Sequence, residues 1–116
     1  MPFSPSNVYI DRKLYDEICK LDKNHNKRKW ITLMKKTLLG NPLAGVQIHS
    51  RMIPQHYSDT HKVNNLFRFS LPEGYRGIYT LIEFEGEGVN PVILDVYSHK
   101  EYEKRFGYFR ASAVKL

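Results

Sequence analysis

Apolar residues along the first forty positions recur at spacings of three and four. Leu14, Tyr15, Ile18 and Leu21 mark a short amphipathic helix over Arg12 to Leu21, with Asp11 as its N-cap and Cys19 on its buried side. Asn7 to Ile10 reads as a strand-like opening before it. The polar run Asp22 to Asn26 reads as a connecting loop. Asn26 then caps a second helix whose stripe is Trp30, Leu33, Met34, Thr37 and Leu38. That helix should stop at Gly40, because Asn41-Pro42 cannot continue it. Two helices joined by a short loop predict an antiparallel helical hairpin.

Beyond Gly40 the period falls to two. GVQIHS (Gly45 to Ser50) is a weakly patterned strand, and Arg51 to Asn64 reads as an irregular insert. Leu66 to Leu71, Tyr75 to Ile82 and Pro91 to Tyr97 alternate well enough to be three strands. The acidic run EFEGEGVN joins the last two, too long for a tight turn, with Glu83, Glu85 and Glu87 solvated. Ser98 to Phe109 starts polar and ends aromatic, as one helical turn that folds back would. The order β-α-α-β-β-β predicts an α+β fold: an antiparallel sheet covered on one face by the two-helix hairpin, forming one domain over residues 1–116.

Alternation also assigns faces. A three-residue connection Pro72-Glu73-Gly74 sets Leu71 opposite Tyr75, Ser70 opposite Arg76, and Arg68 opposite Ile78. Phe67, Phe69, Leu71, Tyr75, Gly77, Tyr79 and Leu81 then share the face that meets the helices, joined by Val92, Leu94 and Val96. Arg68, Ser70, Arg76 and Thr80 share the other face with Asp95, Tyr97 and His99, a face expected to be free of helices. Each of these residues alone has an ordinary explanation on a solvated sheet; together they suit a phosphate. Arginine offers a flat fork of donors at any working pH, histidine exchanges protons near neutrality, and tyrosine gives a ring for a base to stack on.

Composition sharpens this picture. Of 116 residues, 41% are hydrophobic, as in a folded chain, and no apolar run approaches the roughly 20 residues that span a bilayer. MPFSPSNVYI lacks the charged and apolar regions of a signal peptide, and Cys19 is the single cysteine. Both features lead to the expectation of a cytoplasmic protein. The net charge of +6 lies wholly before Val63, where eleven Lys and Arg stand against five Asp and Glu; after it the two signs balance. Lys23, Lys27, Arg28 and Lys29, with Arg51 and Lys62 further on, suit a polyanion such as RNA. A solvated helix face explains the run equally well.

The segment Tyr75-Arg76-Gly77-Ile78-Tyr79 resembles the central strand motif of the RelE/ParE superfamily of toxins from type II toxin–antitoxin modules. VILDVYS and then HKEYEKRFGY follow in the same way. The resemblance runs from about Val8 to Tyr108, is best from Asn65 onward, and points to an archaeal-looking branch. It implies a metal-independent endoribonuclease, an mRNA interferase in which the ribose 2′-hydroxyl attacks the adjacent phosphate and leaves a 2′,3′-cyclic end. Cleavage on the ribosome and a cognate antitoxin covering the site are further implications. Carried over, Arg76 stabilises charge on the phosphorane, His99 and Lys100 match a region used for proton transfer or stacking, and Tyr102 matches its C-terminal tyrosine. Arg68 lies where some members carry lysines, although this strand has one basic residue and no lysine pair. Tyr97, Arg105 and Tyr108 are further RNA contacts. Members that poison DNA gyrase are not nucleases, so a non-catalytic toxin or a plain RNA-binding module is the alternative.

Other chemistry has less support. His49, His56, Asp59 and His61 lie within thirteen residues, but their spacing fits no zinc pattern, so no metal is expected; contact with RNA or a partner is their other use. No phosphate-binding glycine motif is present, and no cofactor is expected.

Overall fold

A computed structural model describes residues 7–57 and 64–106. Its elements are β1 (Tyr9–Ile10), α1 (Arg12–Cys19), α2 (Asn26–Gly40), β2 (Val46–Gln47), β3 (Phe67–Ser70), β4 (Arg76–Phe84), β5 (Gly88–Tyr97) and α3 (His99–Phe106). They build an α+β domain around a five-stranded sheet in the order β1-β5-β4-β3-β2.

The sheet is mixed, which corrects the expectation of an antiparallel one. β1 lies parallel to β5, with Tyr9 beside Val92 and Ile10 beside Ile93, and the Asp11 N–H donates to the Ile93 carbonyl at 2.8 Å. The chain then turns directly into α1, where the Asp11 carboxylate accepts from the Leu14 N–H at 3.1 Å, as expected of the N-cap. α2 is capped differently. His25 Nδ1, one residue before Asn26, accepts from the Lys27 N–H at 3.1 Å, while Asn26 is the first helical residue. Cys19 is exposed and not on the buried side, because Leu14 and Ile18 alone are buried on so short a helix.

The hairpin between β3 and β4 has the expected register: Ser70 faces Arg76, Phe69 faces Gly77 and Arg68 faces Ile78. Leu71 N–H donates to the Tyr75 carbonyl at 2.9 Å, and Glu73 and Gly74 turn the chain with positive φ of 60° and 78°. Asn65 extends this ladder with its side chain, accepting from Leu81 N–H at 2.8 Å and donating to the Leu81 carbonyl at 3.0 Å. The acidic run is shorter as a loop than its sequence suggests. β4 and β5 pair as far as Phe84 and Gly88, leaving Glu85-Gly86-Glu87 as a tight turn. Glu87 is not simply solvated, for it accepts from the Tyr9 hydroxyl at 2.7 Å.

One irregularity in β5 redistributes the core. Ile78 faces Asp95 while Tyr79 faces Ile93, so Leu94 is an extra residue, a β-bulge. Ile93 and Val96 therefore join Leu14, Ile18, Met34, Leu38, Phe67, Phe69 and Tyr79 in the core under α1 and α2. Leu94 and Val92, expected in that core, lie on the opposite side. That opposite face is not free of helices. α3 and the segment 50–57 cover it, and Tyr57, Leu66, Ile78, Leu94 and Tyr97 form a second buried cluster beneath Tyr102, Phe106, Ile48 and Ile53.

Candidate functional site

The arginines of β3 and β4 leave the sheet on the face that α3 covers, and α3 brings a tyrosine to meet them. Arg68 Nη1 donates to the Tyr102 hydroxyl at 3.4 Å, and the Arg76 guanidinium lies 6.0 Å from the centre of the Tyr102 ring. Two cations and one ring from three elements thus converge. Arg76 also donates to its neighbour's carbonyl, Tyr75 O, at 3.0 Å. The Nε of Arg68 is buried without a hydrogen-bond partner.

The position of Tyr102 follows from how α3 begins. Ser98 Oγ accepts from the Glu101 N–H at 3.2 Å, and Glu101 returns the bond by accepting from the Ser98 N–H at 2.8 Å. This is a reciprocal capping box, written in the sequence as Ser-His-Lys-Glu and legible there. Glu101 also pairs with Lys27 of α2, Nζ to Oε1 at 3.2 Å, tying α3 to the helical hairpin. Partial burial pushes the Glu101 carboxyl up, but the Ser98 N–H and the Lys27 ammonium outweigh it and hold the group below its ordinary value.

The remaining candidates divide between site, scaffold and surface. His99 opens α3 with its Cβ close behind Gly74, where any side chain would crowd it, and its Nε2 lies 3.6 Å from Glu103 Oε1. Its side chain is largely exposed, as is that of Lys100 beside it. Tyr97 is not an available contact. It is buried, and its hydroxyl is 2.9 Å from that of Tyr57, which donates to Asp95 at 2.6 Å. Burial first, then the Asp95 charge, holds Tyr57 far above the ordinary phenol value; burial likewise raises Tyr97.

Among the basic residues, Lys27 is engaged with Glu101, and Arg28 donates to the carbonyls of Leu21 and Cys19, each at 3.1 Å, closing the end of α1. Lys23, Lys29, Arg51 and Arg105 are exposed. Lys62 and Tyr108 lie outside the described residues, as do Asp59 and His61. Among the described residues no three His, Cys, Asp or Glu side chains group as metal ligands. No helix among them is long and apolar enough to cross a membrane.

Two hollows flank α3. The larger, about 490 Å³, opens between α1, the end of β5 and α3, with Asp11, His25, Lys27, Glu101 and Arg105 among its walls. It carries both charge signs and neither sheet arginine. The smaller, about 200 Å³, includes Arg68, Tyr102 and His49. The smaller one holds Arg68 and Tyr102 of the convergent group. His49, whose expected use is contact with RNA or a partner, accepts at Nδ1 from the Arg51 N–H at 3.2 Å, which leaves Nε2–H as its donor. Searches against protein-family models, curated proteins and solved structures found no match to this chain.

Proposed function

We propose that the chain is an RNA-cleaving toxin of the RelE type, acting on messenger RNA without a metal. The observation that carries this reading is the convergence of Arg68 and Arg76 on Tyr102, from β3, β4 and α3. A scissile phosphate beside Arg76 would meet a charged, planar donor fork, with the Tyr102 ring alongside for an adjacent base. In the reaction the ribose 2′-oxygen bonds to phosphorus and loses its proton, while the bond from phosphorus to the 5′-oxygen breaks and that oxygen gains one. Arg76 offsets charge on the phosphorane, Arg68 adds its field from deeper in the face, and His99, three residues before Tyr102 on α3, gives or takes a proton. The exposed Lys23 and Lys29 would guide the strand, and a cognate antitoxin would cover the cluster.

Purified protein incubated with messenger RNA, with and without ribosomes, should yield fragments with 2′,3′-cyclic phosphate ends. Arg76→Ala and His99→Ala should each lower cleavage by about two to four orders of magnitude while circular dichroism stays unchanged. Full cleavage by both variants would refute the enzymatic reading. One observation favours a second reading, a non-catalytic toxin or RNA-binding module: the His99 imidazole is turned to Glu103, with Nε2 3.6 Å from Oε1. A growth-arresting protein that leaves RNA intact would establish it.

A further inference from the structure

The fold leaves the Arg68 guanidinium half used. Among the described residues its one hydrogen bond, to Tyr102, is long at 3.4 Å, and its buried Nε has no acceptor. A buried donor without an acceptor is costly, and a native protein rarely keeps one without a use. Nε and Nη2 lie along one edge of the planar group, which does not include the Nη1 held by Tyr102, so a ligand with two adjacent acceptors would satisfy both while that contact persists. The pocket beside Arg68 has the walls for a flat heterocycle. Ile48, Met52, Tyr102 and Phe106 line it, and the two rings stack at 4.7 Å and 14°. Its volume of about 200 Å³ is below the roughly 300–1,000 Å³ of sites that hold drug-sized ligands. A phosphate would lose its water against these apolar walls at high cost, whereas a neutral base would not.

We propose that this pocket receives a guanine base of the bound strand, with O6 and N7 accepting from the Arg68 edge and the ring against Tyr102. The assignment rests on the RNA reading above and gives Arg68 a selecting role. Guanine offers two acceptors side by side on its Hoogsteen edge together with a purine ring to lie against Tyr102; cytosine offers O2 and N3 but a smaller ring, and adenine presents an N6 donor beside N7 and would oppose the guanidinium. The His49 Nε2–H at the pocket wall supplies a further donor.

The test is equilibrium binding of short 2′-O-methyl single strands, which cannot be cut, differing at one base. Fluorescence anisotropy should show the guanine strand binding about ten- to a hundredfold tighter than the adenine strand. A 7-deazaguanine strand, lacking N7, should lose most of that margin with the protein unaltered. Arg68→Lys, which keeps the charge and loses the fork, should erase the margin. Equal affinities, preference for another base, or a guanine margin that survives both changes would overturn the proposal. Cleavage mapping separates the two readings. RNA cut without regard to guanine would remove this inference and leave the nuclease standing; guanine-selective binding without cutting would do the reverse. No binding of any strand would remove both.

Discussion

At the scale of single residues, several polar groups in the strands are structural fasteners. Tyr79, in the segment Tyr75 to Tyr79, donates its hydroxyl proton to the Pro42 carbonyl at 2.8 Å and accepts from the Gly45 N–H at 2.9 Å. It thereby holds the link from α2 to β2 against the sheet. Tyr79→Phe should lower stability by about 1–3 kcal/mol in urea denaturation, since it leaves two backbone groups short of partners. Tyr57→Phe should act similarly by uncoupling Asp95 and Tyr97, and so should disturb the cluster under α3 without touching the arginines. Gly77 shows a steric limit. A Cβ there would run into the fully buried Met34 side chain, so Gly77→Ala should destabilise by about 1–3 kcal/mol, read from the same denaturation curves.

Among the elements, α3 governs whether the arginine cluster has a roof. Its anchorage depends on the ionised Glu101 carboxyl, whose folded pKa is lowered. The stabilisation is therefore complete above the ordinary carboxylate value of about 4.3 and disappears as pH falls through the depressed folded value. Amide hydrogen exchange should show α3 protected at pH 7 and opening once the pH falls below the ordinary carboxylate value, with Glu101→Gln opening it already at neutrality. The elements also show what the sequence disclosed. The hairpin register from Phe67 to Tyr79 was legible because strict alternation and a Pro-Glu-Gly break leave little freedom. β5 departs from the expected faces at Val92 and Leu94, since a bulge adds a residue without altering composition, and alternation counted back from Val96 sends both to the wrong side. The roof over the arginines was missed for a different reason. Ser98-His-Lys-Glu was a readable helix start, but only tertiary packing shows that Tyr102 and Phe106 point back at the sheet. The parallel seat of β1 depends on a pairing between distant segments, which local periodicity does not carry.

The whole molecule is a sheet with a core on each side, α1 and α2 over one and α3 with the segment 50–57 over the other. Its charge is distributed unevenly, with the surplus of six positive charges before Val63. If four phosphates are neutralised, affinity for single-stranded RNA should fall about fiftyfold between 50 and 200 mM salt, from a log–log slope of about −0.7 per phosphate. A titration flat in salt would separate the basic surface from RNA binding. The seat of β1 against β5 has a bearing on synthesis. The strand made early finds its neighbour only when residues 92 and 93 have emerged, and the tyrosine that joins the two arginines follows later still. A nascent chain would thus carry its helical hairpin and basic run before the Arg68, Arg76 and Tyr102 group exists, and that group would assemble only once β5 and α3 have left the ribosome.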